Sequence, residues 1–237
     1  METLCTRSCA VCEETQKTPW GNLPAEAIAQ LDASKETHQF SRGEIIFAAG
    51  SDATHLYCVG EGRVQLFREG GGREQTFLIC GPGTWIGFRD ALAQMPLQHS
   101  ARCLTDVTLC ALPRELVQDL SASHNSFSSA VLNSLAQGWA QSEQQSYNLG
   151  VRKTRERLAD YLLQLQPVVD NASAGTETAV RELPLTREIL ATILGTTTES
   201  VVRALSDFKA RGWIATSRGS IQILQPAELE RLVAESG

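Results

Sequence analysis

The stretch LTREILATILGTTTESVVRALSDFKARGWI, residues 185–214, constrains this chain most. Thr186 can cap a helix that runs through Leu194, with Ile189, Leu190 and Ile193 turned inward. Gly195 ends that helix at a place where a left-handed residue fits. Thr197 or Thr198 starts a second helix, with Val201, Ala204, Leu205 and Phe208 on its buried face. Two short helices joined by a turn of three or four residues containing glycine form the helix-turn-helix pattern. The following WIATSRGSIQIL reads as a hairpin turning at Arg218-Gly219, the wing of a winged helix.

In such a unit the N-terminal turns of the second helix enter the major groove of DNA. Thr198, Glu199, Val202 and Arg203 are its exposed candidates for base contacts. Arg203 can donate two hydrogen bonds to guanine O6 and N7, Glu199 can accept from cytosine N4, and Val202 can touch a thymine methyl. Thr186, Arg187, Lys209 and Arg218 are positioned to meet phosphates, which add affinity and salt dependence without sequence information. The competing reading is a three-helix packing unit whose Glu199 and Arg203 form a surface pair one turn apart.

Charge distribution favours nucleic acid. The chain is −6 overall, but residues 1–150 hold 10 Lys+Arg against 16 Asp+Glu, while residues 151–237 hold 11 of each. Within 203–218, Arg203, Lys209, Arg211 and Arg218 stand against Asp207 alone. An acidic front half and a locally basic back half point to nucleic acid in the back half.

Upstream the pattern changes. Residues 23–37 (LPAEAIAQLDASKET) read as an amphipathic helix with Leu23, Ile28 and Leu31 on its apolar face and Pro24 suited to a first turn. From about 38 to 113 come short β-rich runs punctuated by glycine, the signature of a compact antiparallel barrel or roll. From about 114 the chain turns helical. RELVQDLSAS is a short helix, and Ser123 or Asn125 can cap a longer one running to about Leu149. On it Phe127, Val131, Leu135 and Trp139 sit four apart and draw one apolar stripe, which packs on the barrel or forms a dimer seam. TRERLADYLLQLQPVV is a further amphipathic helix, stopped by Pro167, and residues 170–182 read as an exposed polar loop.

No apolar run approaches the roughly 20 residues that span a bilayer. No basic segment followed by an apolar stretch marks a secretory signal, so the cytoplasm is the expected compartment. No paired acid/base carboxylates, Ser/His/Asp order or Walker-type loop stands out, so an enzyme is not expected. Seven cysteines, an odd number, argue against a disulfide framework. Three of them, Cys5, Cys9 and Cys12, fall in the first twenty residues, ahead of any folded element, where nothing local can bury them.

The segments FSRGEIIFAAGSDATHLYCVGEGRVQLF, CGPGTWIGFRDAL, TDVTLCALPRELVQDL, RKTRERLADYLL and LTREILATILGTTTESVVRALSDFKARGWI, taken together over residues 20–230, resemble the CRP/FNR family of bacterial transcription regulators. The resemblance implies an α+β chain: a cysteine-rich segment (1–20), an antiparallel β-roll sensor domain of the cyclic-nucleotide-binding type (21–122), a dimerisation helix (123–150) and a C-terminal winged helix-turn-helix (151–237). It implies a homodimer that places one recognition helix in each half of a palindromic DNA site, with RNA polymerase as a further partner. The family's recognition helix commonly carries Glu, two residues, Ser or Gly, then Arg. Glu199 and Arg203 match and Val202 replaces the Ser or Gly, so a TTGA-containing half-site is expected.

Family members that bind cyclic AMP hold its phosphate with a Gly-Glu segment and an Arg-Ser pair. Here Arg89 is followed by Asp90, whose charge would repel a phosphate, and no Glu precedes it at the usual place. The opening cysteines instead resemble the FNR branch, whose members carry an oxygen-labile 4Fe–4S cluster on three N-terminal cysteines and one from the roll. TLCALPRELVQDL matches the surroundings of that fourth ligand at Cys110. The resemblance therefore implies a cluster on Cys5, Cys9, Cys12 and Cys110 that favours the dimer and DNA binding while intact and is degraded by oxygen or nitric oxide. The spacing here, C-x3-C-x2-C, differs from that of common members of the branch. A four-thiolate zinc site, direct thiol oxidation, a metal-free regulator that does not sense redox, and a regulator that responds to another small effector in the β-roll remain the alternatives. Cys58, Cys80 and Cys103 lie in strand-like contexts and read as small core residues. His38, His55, His99 and His124 stand apart from one another and read as surface or core imidazoles rather than haem ligands.

Overall fold

The computed structural model describes residues 8–16, 18–170, 185–217 and 220–235. Two compact units divide at Gln141/Ser142, inside one long helix.

The first unit opens with a short helix α1 (Glu13–Gln16), a 3-10 turn (Pro19–Asn22) and α2 (Ala25–Ser34). Pro24 sits at the N-cap of α2, where its missing N–H costs nothing. Ala27, Ile28 and Leu31 bury one face of the helix. The helix ends at Ser34, short of the expected residue 37. Glu36 and Thr37 instead pair with Ala111 and Cys110, because a ladder across distant segments outweighs local helix preference.

The roll follows as β1 (Glu36–Phe40), β2 (Ile45–Phe47), β3 (His55–Glu61), β4 (Val64–Gly70), β5 (Arg73–Cys80), β6 (Trp85–Ile86), a short α3 (Phe88–Leu92), β7 (Ser100–Cys103) and β8 (Val107–Pro113). These strands form two four-stranded antiparallel sheets, ordered β1-β8-β3-β6 and β2-β7-β4-β5. Gly62 shows why the turns need glycine. Its φ is +87°, and a Cβ there would lie 2.2 Å from the Asp106 carbonyl oxygen.

Alternation along the strands sorts two cores. Val59, Val64, Ile86, Val107 and Leu109 fill the interior of the roll together with Cys80 and Cys103. Leu56 and Leu112 face the other way and join Trp20, Leu23, Ile28 and Leu31. Trp20 is 1% exposed, and its ring centroid lies 4.5 Å from Trp85 and 4.9 Å from Phe127. The outer face of the β1-β8-β3-β6 sheet is thus covered by the N-terminal helices.

The chain leaves β8 directly into α4 (Arg114–Ser123) and then the long α5 (Asn125–Val151). The apolar stripe on α5 divides. Phe127 and Val131 are buried in the first unit's core and Leu135 is half-buried against it, whereas Trp139 is 70% exposed. The stripe begins as packing on the roll, and only its later part is open.

The second unit contains α6 (Thr154–Asp170), α7 (Arg187–Ile193), α8 (Thr198–Ala210), a hairpin of β9 (Ile214–Ser217) and β10 (Ser220–Ile223), and α9 (Pro226–Ala234). Pro167 lies in the last turn of α6 rather than stopping it: the helix runs on to Asp170. Leu158, Leu162, Leu190, Val201, Leu205, Phe208, Ile214 and Leu229 are buried. Asn148 Nδ2 donates to Asp160 Oδ2 at 2.7 Å and Arg152 pairs with Asp160 at 3.4 Å, joining the end of α5 to α6.

Candidate nucleic-acid interface and thiol site

The helix pair at 187–210 is built by local chemistry. Thr186 Oγ1 accepts the Ile189 N–H at 3.3 Å and Thr197 Oγ1 accepts the Ser200 N–H at 3.3 Å, so each helix starts on a threonine cap. Gly195 adopts φ +58° and the Thr196 N–H closes on Ala191 O at 3.0 Å. That left-handed residue turns the chain sharply from α7 into α8. Val201, Ala204, Leu205 and Phe208 bury one face of α8.

The opposite face carries Glu199, Val202 and Arg203, all exposed, with Thr198 half-exposed. The Glu199 backbone N–H, then the Thr197 hydroxyl and the Arg203 charge, hold the Glu199 carboxyl below the usual carboxylate range. It is therefore an anion ready to accept from a donor such as a cytosine amino group. Asp207, the sole acid of the basic stretch, is bracketed by Arg155 Nη2 at 3.0 Å and Arg211 Nε at 2.9 Å. Its charge is balanced by those two guanidinium groups. Thr186, Arg187 and Lys209 are exposed. Arg218 lies outside the described residues, between the paired ends Ser217 and Ser220 of the hairpin.

In the first unit, the segment carrying Cys9 is docked on α2. Ser8 Oγ donates to Asp32 Oδ2, the Cys9 backbone N–H donates to Asp32 Oδ1 at 2.8 Å, and Lys35 Nζ reaches the same Oδ1 at 2.7 Å. Lys35 Nζ also lies 3.9 Å from Cys9 Sγ. Although burial pushes the Asp32 carboxyl up, the hydrogen bonds from Lys35, Ser8 and the Cys9 backbone hold it down at about 2. Burial pushes the Cys9 thiol up to about 12 against the opposing pull of Lys35. Cys110 lies within electrostatic reach of both the Cys9 thiol and the Lys35 ammonium.

The sequence holds no sign of Asp32 and Lys35 as site residues. Three positions apart, they read as an ordinary surface ion pair. Cys110 shares the outer face of its sheet with Leu112. Cys80 and Cys103 are buried inside the roll as expected. Cys58 departs from that expectation: it is half-buried and sits directly opposite Cys110 across β3 and β8.

Thiols are the donors that an iron–sulfur cluster or a zinc ion takes. Burial and the neighbouring Asp32 carboxylate raise the Cys9 thiol against the pull of Lys35, which is itself paired with Asp32, so a metal ligated there would displace the Cys9 proton. Cys12 is half-buried on the same docked segment, and Cys5 lies outside the described residues. Among the described residues no three His, Cys, Asp or Glu side chains converge on one metal position.

In the effector region of the roll, Arg89 is committed to Asp90 through Nε at 2.9 Å and Nη2 at 2.7 Å, and the buried Asp90 also accepts the Gln98 N–H at 3.0 Å. Among the described residues no helix is long and apolar enough to cross a membrane.

Two family models match in the order the structure sets out: a cyclic nucleotide-binding domain over residues 37–124 and a Crp-like helix-turn-helix domain over residues 156–232. A "CRP-like cAMP-activated global transcriptional regulator" of Mycobacterium tuberculosis is 29% identical over 86% of this chain and 91% of its own length. The "Regulatory protein HlyX" of Actinobacillus pleuropneumoniae is 25% identical over 96% of this chain and 94% of its own. Among solved structures, FixK2 from Bradyrhizobium japonicum matches with a TM-score of 0.73 at 22% identity, covering 84% of this chain and 96% of that one, a likeness of fold. A CRP/FNR-family transcriptional regulator from Thermus thermophilus matches with a TM-score of 0.62 at 26% identity, covering 85% of this chain and 100% of that one. The β-roll, long helix and capped helix-turn-helix thus agree with both domain models and with relatives along nearly the whole chain, which belongs to the CRP/FNR family of DNA-binding transcription regulators.

Proposed function

We propose that this regulator reads oxygen, nitric oxide or redox state through a 4Fe–4S cluster held by Cys5, Cys9, Cys12 and Cys110, and binds palindromic TTGA-type sites as a homodimer. The observation that supports the sensing half is the docking of the Cys9 segment on α2 through Asp32, with Cys110 within electrostatic reach of Cys9 and Lys35. When bound, such a cluster supplies a redox- and gas-reactive centre on thiolate ligands. The chain's own part is mechanical. Asp32 fixes the Cys9 segment to α2, and Cys110 fixes the other end to β8. From β8 the backbone enters α4 directly, and α5 follows α4 after His124. Four ligating thiols would lock the N-terminal segment to the strand that feeds the long helix. Their release would loosen that connection.

The homodimer is supported by what α5 leaves open. Leu132 is 66% and Trp139 70% exposed, and Tyr147, Leu149 and Val151 add further exposed apolar surface. For DNA, the reading rests on exposed Glu199, Val202 and Arg203 on a helix whose other face is the core. RNA polymerase is the partner implied for a regulator of this kind.

Anaerobic purification, an absorption spectrum, and iron, acid-labile sulfide and zinc analysis test the sensing half together. A brown protein with iron and sulfide in equal amounts is expected. A colourless protein holding one tightly bound zinc overturns it in favour of the four-thiolate zinc reading.

A further inference from the structure

Cys58 and Cys110 are register partners in adjacent antiparallel strands. Directly opposed residues project from the same face of a sheet, here the outer face that also carries the opposed pair Leu56 and Leu112. The hydrogen-bond phase of the ladder is fixed by the next residue. The Val59 N–H donates to Thr84 O at 3.0 Å, and the Gly83 N–H donates to Val59 O at 2.8 Å. Both polar groups of Val59 therefore point toward the β6 side, and by alternation those of Cys58 point toward β8. This makes Cys58 and Cys110 a hydrogen-bonded pair, with Cα atoms about 5.5 Å apart. The Cα separation suits a disulfide, whereas the Cβ atoms of such a pair stand nearer to about 5.5 Å than to the roughly 3.5–4.5 Å a disulfide takes, so closing the bond draws the two strands together locally and leaves it readily reducible. Both thiols are half-buried rather than sealed in the core. The Cys58 thiol donates to the Val59 carbonyl at 3.8 Å, a contact it gives up on turning toward Cys110.

We propose that Cys58 and Cys110 form a peroxide-driven disulfide site. One thiolate attacks the O–O bond of hydrogen peroxide and becomes a sulfenic acid, while the other oxygen leaves as water. The partner thiolate then attacks that sulfur, the S–S bond forms, the S–O bond breaks, and the second oxygen leaves as water. Two thiols lose two protons and two electrons, and one peroxide becomes two waters. Cys9 is also within electrostatic reach of Cys110, but its segment is held by hydrogen bonds to the Asp32 side chain, whereas the backbone ladder fixes Cys58. The linkage needs no metal and stands apart from the cluster reading. Where that reading holds, the disulfide removes Cys110 from the ligand set and bars reloading until it is reduced.

The test uses the full chain, reduced, iron-free and freed of reductant. It is treated with a few equivalents of hydrogen peroxide, alkylated with iodoacetamide and digested with trypsin without reduction. Peptide 43–63 is expected to appear joined to peptide 103–114, with fragment ions placing the link on Cys110 rather than on Cys103, which shares that peptide. Alkylation of Cys58 and Cys110 should be lost together. In Cys58→Ser the link should vanish and Cys110 should become alkylatable again. A link from Cys110 to Cys9 or Cys12, a link through Cys103, or full alkylation of both thiols after peroxide overturns the proposal. Because the wild-type map decides it, a folding defect in the variant does not obscure the result, and a protein that proves unable to hold a cluster leaves the map unaffected.

Discussion

Asp32 Oδ1 accepts the backbone N–H of Cys9 at 2.8 Å, so a carboxylate on α2 holds the cysteine segment in place. The same carboxylate takes Ser8 and Lys35. Asp32→Ala removes all three bonds. Hydrogen bonds to a charged group are each worth about 1.5–3 kcal/mol. The docked turn should open, bring Cys9 into water and return its thiol toward an ordinary titration range. Iodoacetamide alkylation of Cys9 in metal-free protein should speed up by about tenfold or more. An unchanged rate would show that the segment is held by something other than Asp32.

Ligand assignment separates two neighbouring thiols. Cys110→Ser should abolish the visible chromophore of anaerobically prepared protein, while Cys58→Ser should retain it. The reverse pattern would make Cys58 the strand ligand, with Cys110 its bystander.

Base reading and phosphate contact have different signatures. Arg203→Ala should cost roughly 1–3 kcal/mol on the preferred site and relax preference at one guanine. Lys209→Ala should weaken all sequences alike and lower the salt slope by about one. Binding titrations on wild-type and single-base-changed duplexes at several salt concentrations measure both. Equal weakening on every duplex for Arg203→Ala would reduce it to a phosphate contact.

The divided stripe on α5 predicts divided effects. Phe127 is fully buried beside Trp20, so Phe127→Ala should cost about 3–5 kcal/mol of stability. Trp139 is exposed, so Trp139→Ala should leave the urea midpoint of the monomeric fold nearly unchanged and shift sedimentation toward monomer. A dimer as tight as wild type after Trp139→Ala would move the seam elsewhere.

His99 gives the first unit a pH dependence. Burial, followed by the Arg89 charge, holds its imidazole below the ordinary 6.5. The unfolded chain therefore binds the proton more readily than the fold does. This contribution to stability is complete above about pH 6.5 and is lost as the pH falls from there through the lowered folded value. His99→Gln should flatten the corresponding part of the urea-midpoint profile between about pH 7.5 and about pH 5. A profile parallel to wild type would assign the acid sensitivity to other groups.

The helix-turn-helix was legible because everything that makes it is local. Threonine caps, the left-handed Gly195 and apolar residues at helical spacing all act within a few positions of one another, so their order in the chain is their order in space. The roll was legible as a class for a similar reason, since alternation and glycine-punctuated turns are short-range signals. The sequence alone also singled out Cys9, Cys12 and Cys110 as thiols worth explaining, and located the apolar positions of the long helix.

What the sequence left open depends on contacts between distant segments. Pairing with β8 ended α2 early and made strand of Glu36 and Thr37. The register of β3 on β8 brought Cys58, read as a core residue, face to face with Cys110. Docking of the N-terminal segment turned Asp32 and Lys35 from a surface pair into the clamp on Cys9. Packing against Trp20 split one apolar stripe into a buried half and an open half. Periodicity says which face a side chain takes, but the opposing partner is chosen by strand register and core packing, and these are set only when the whole first unit closes.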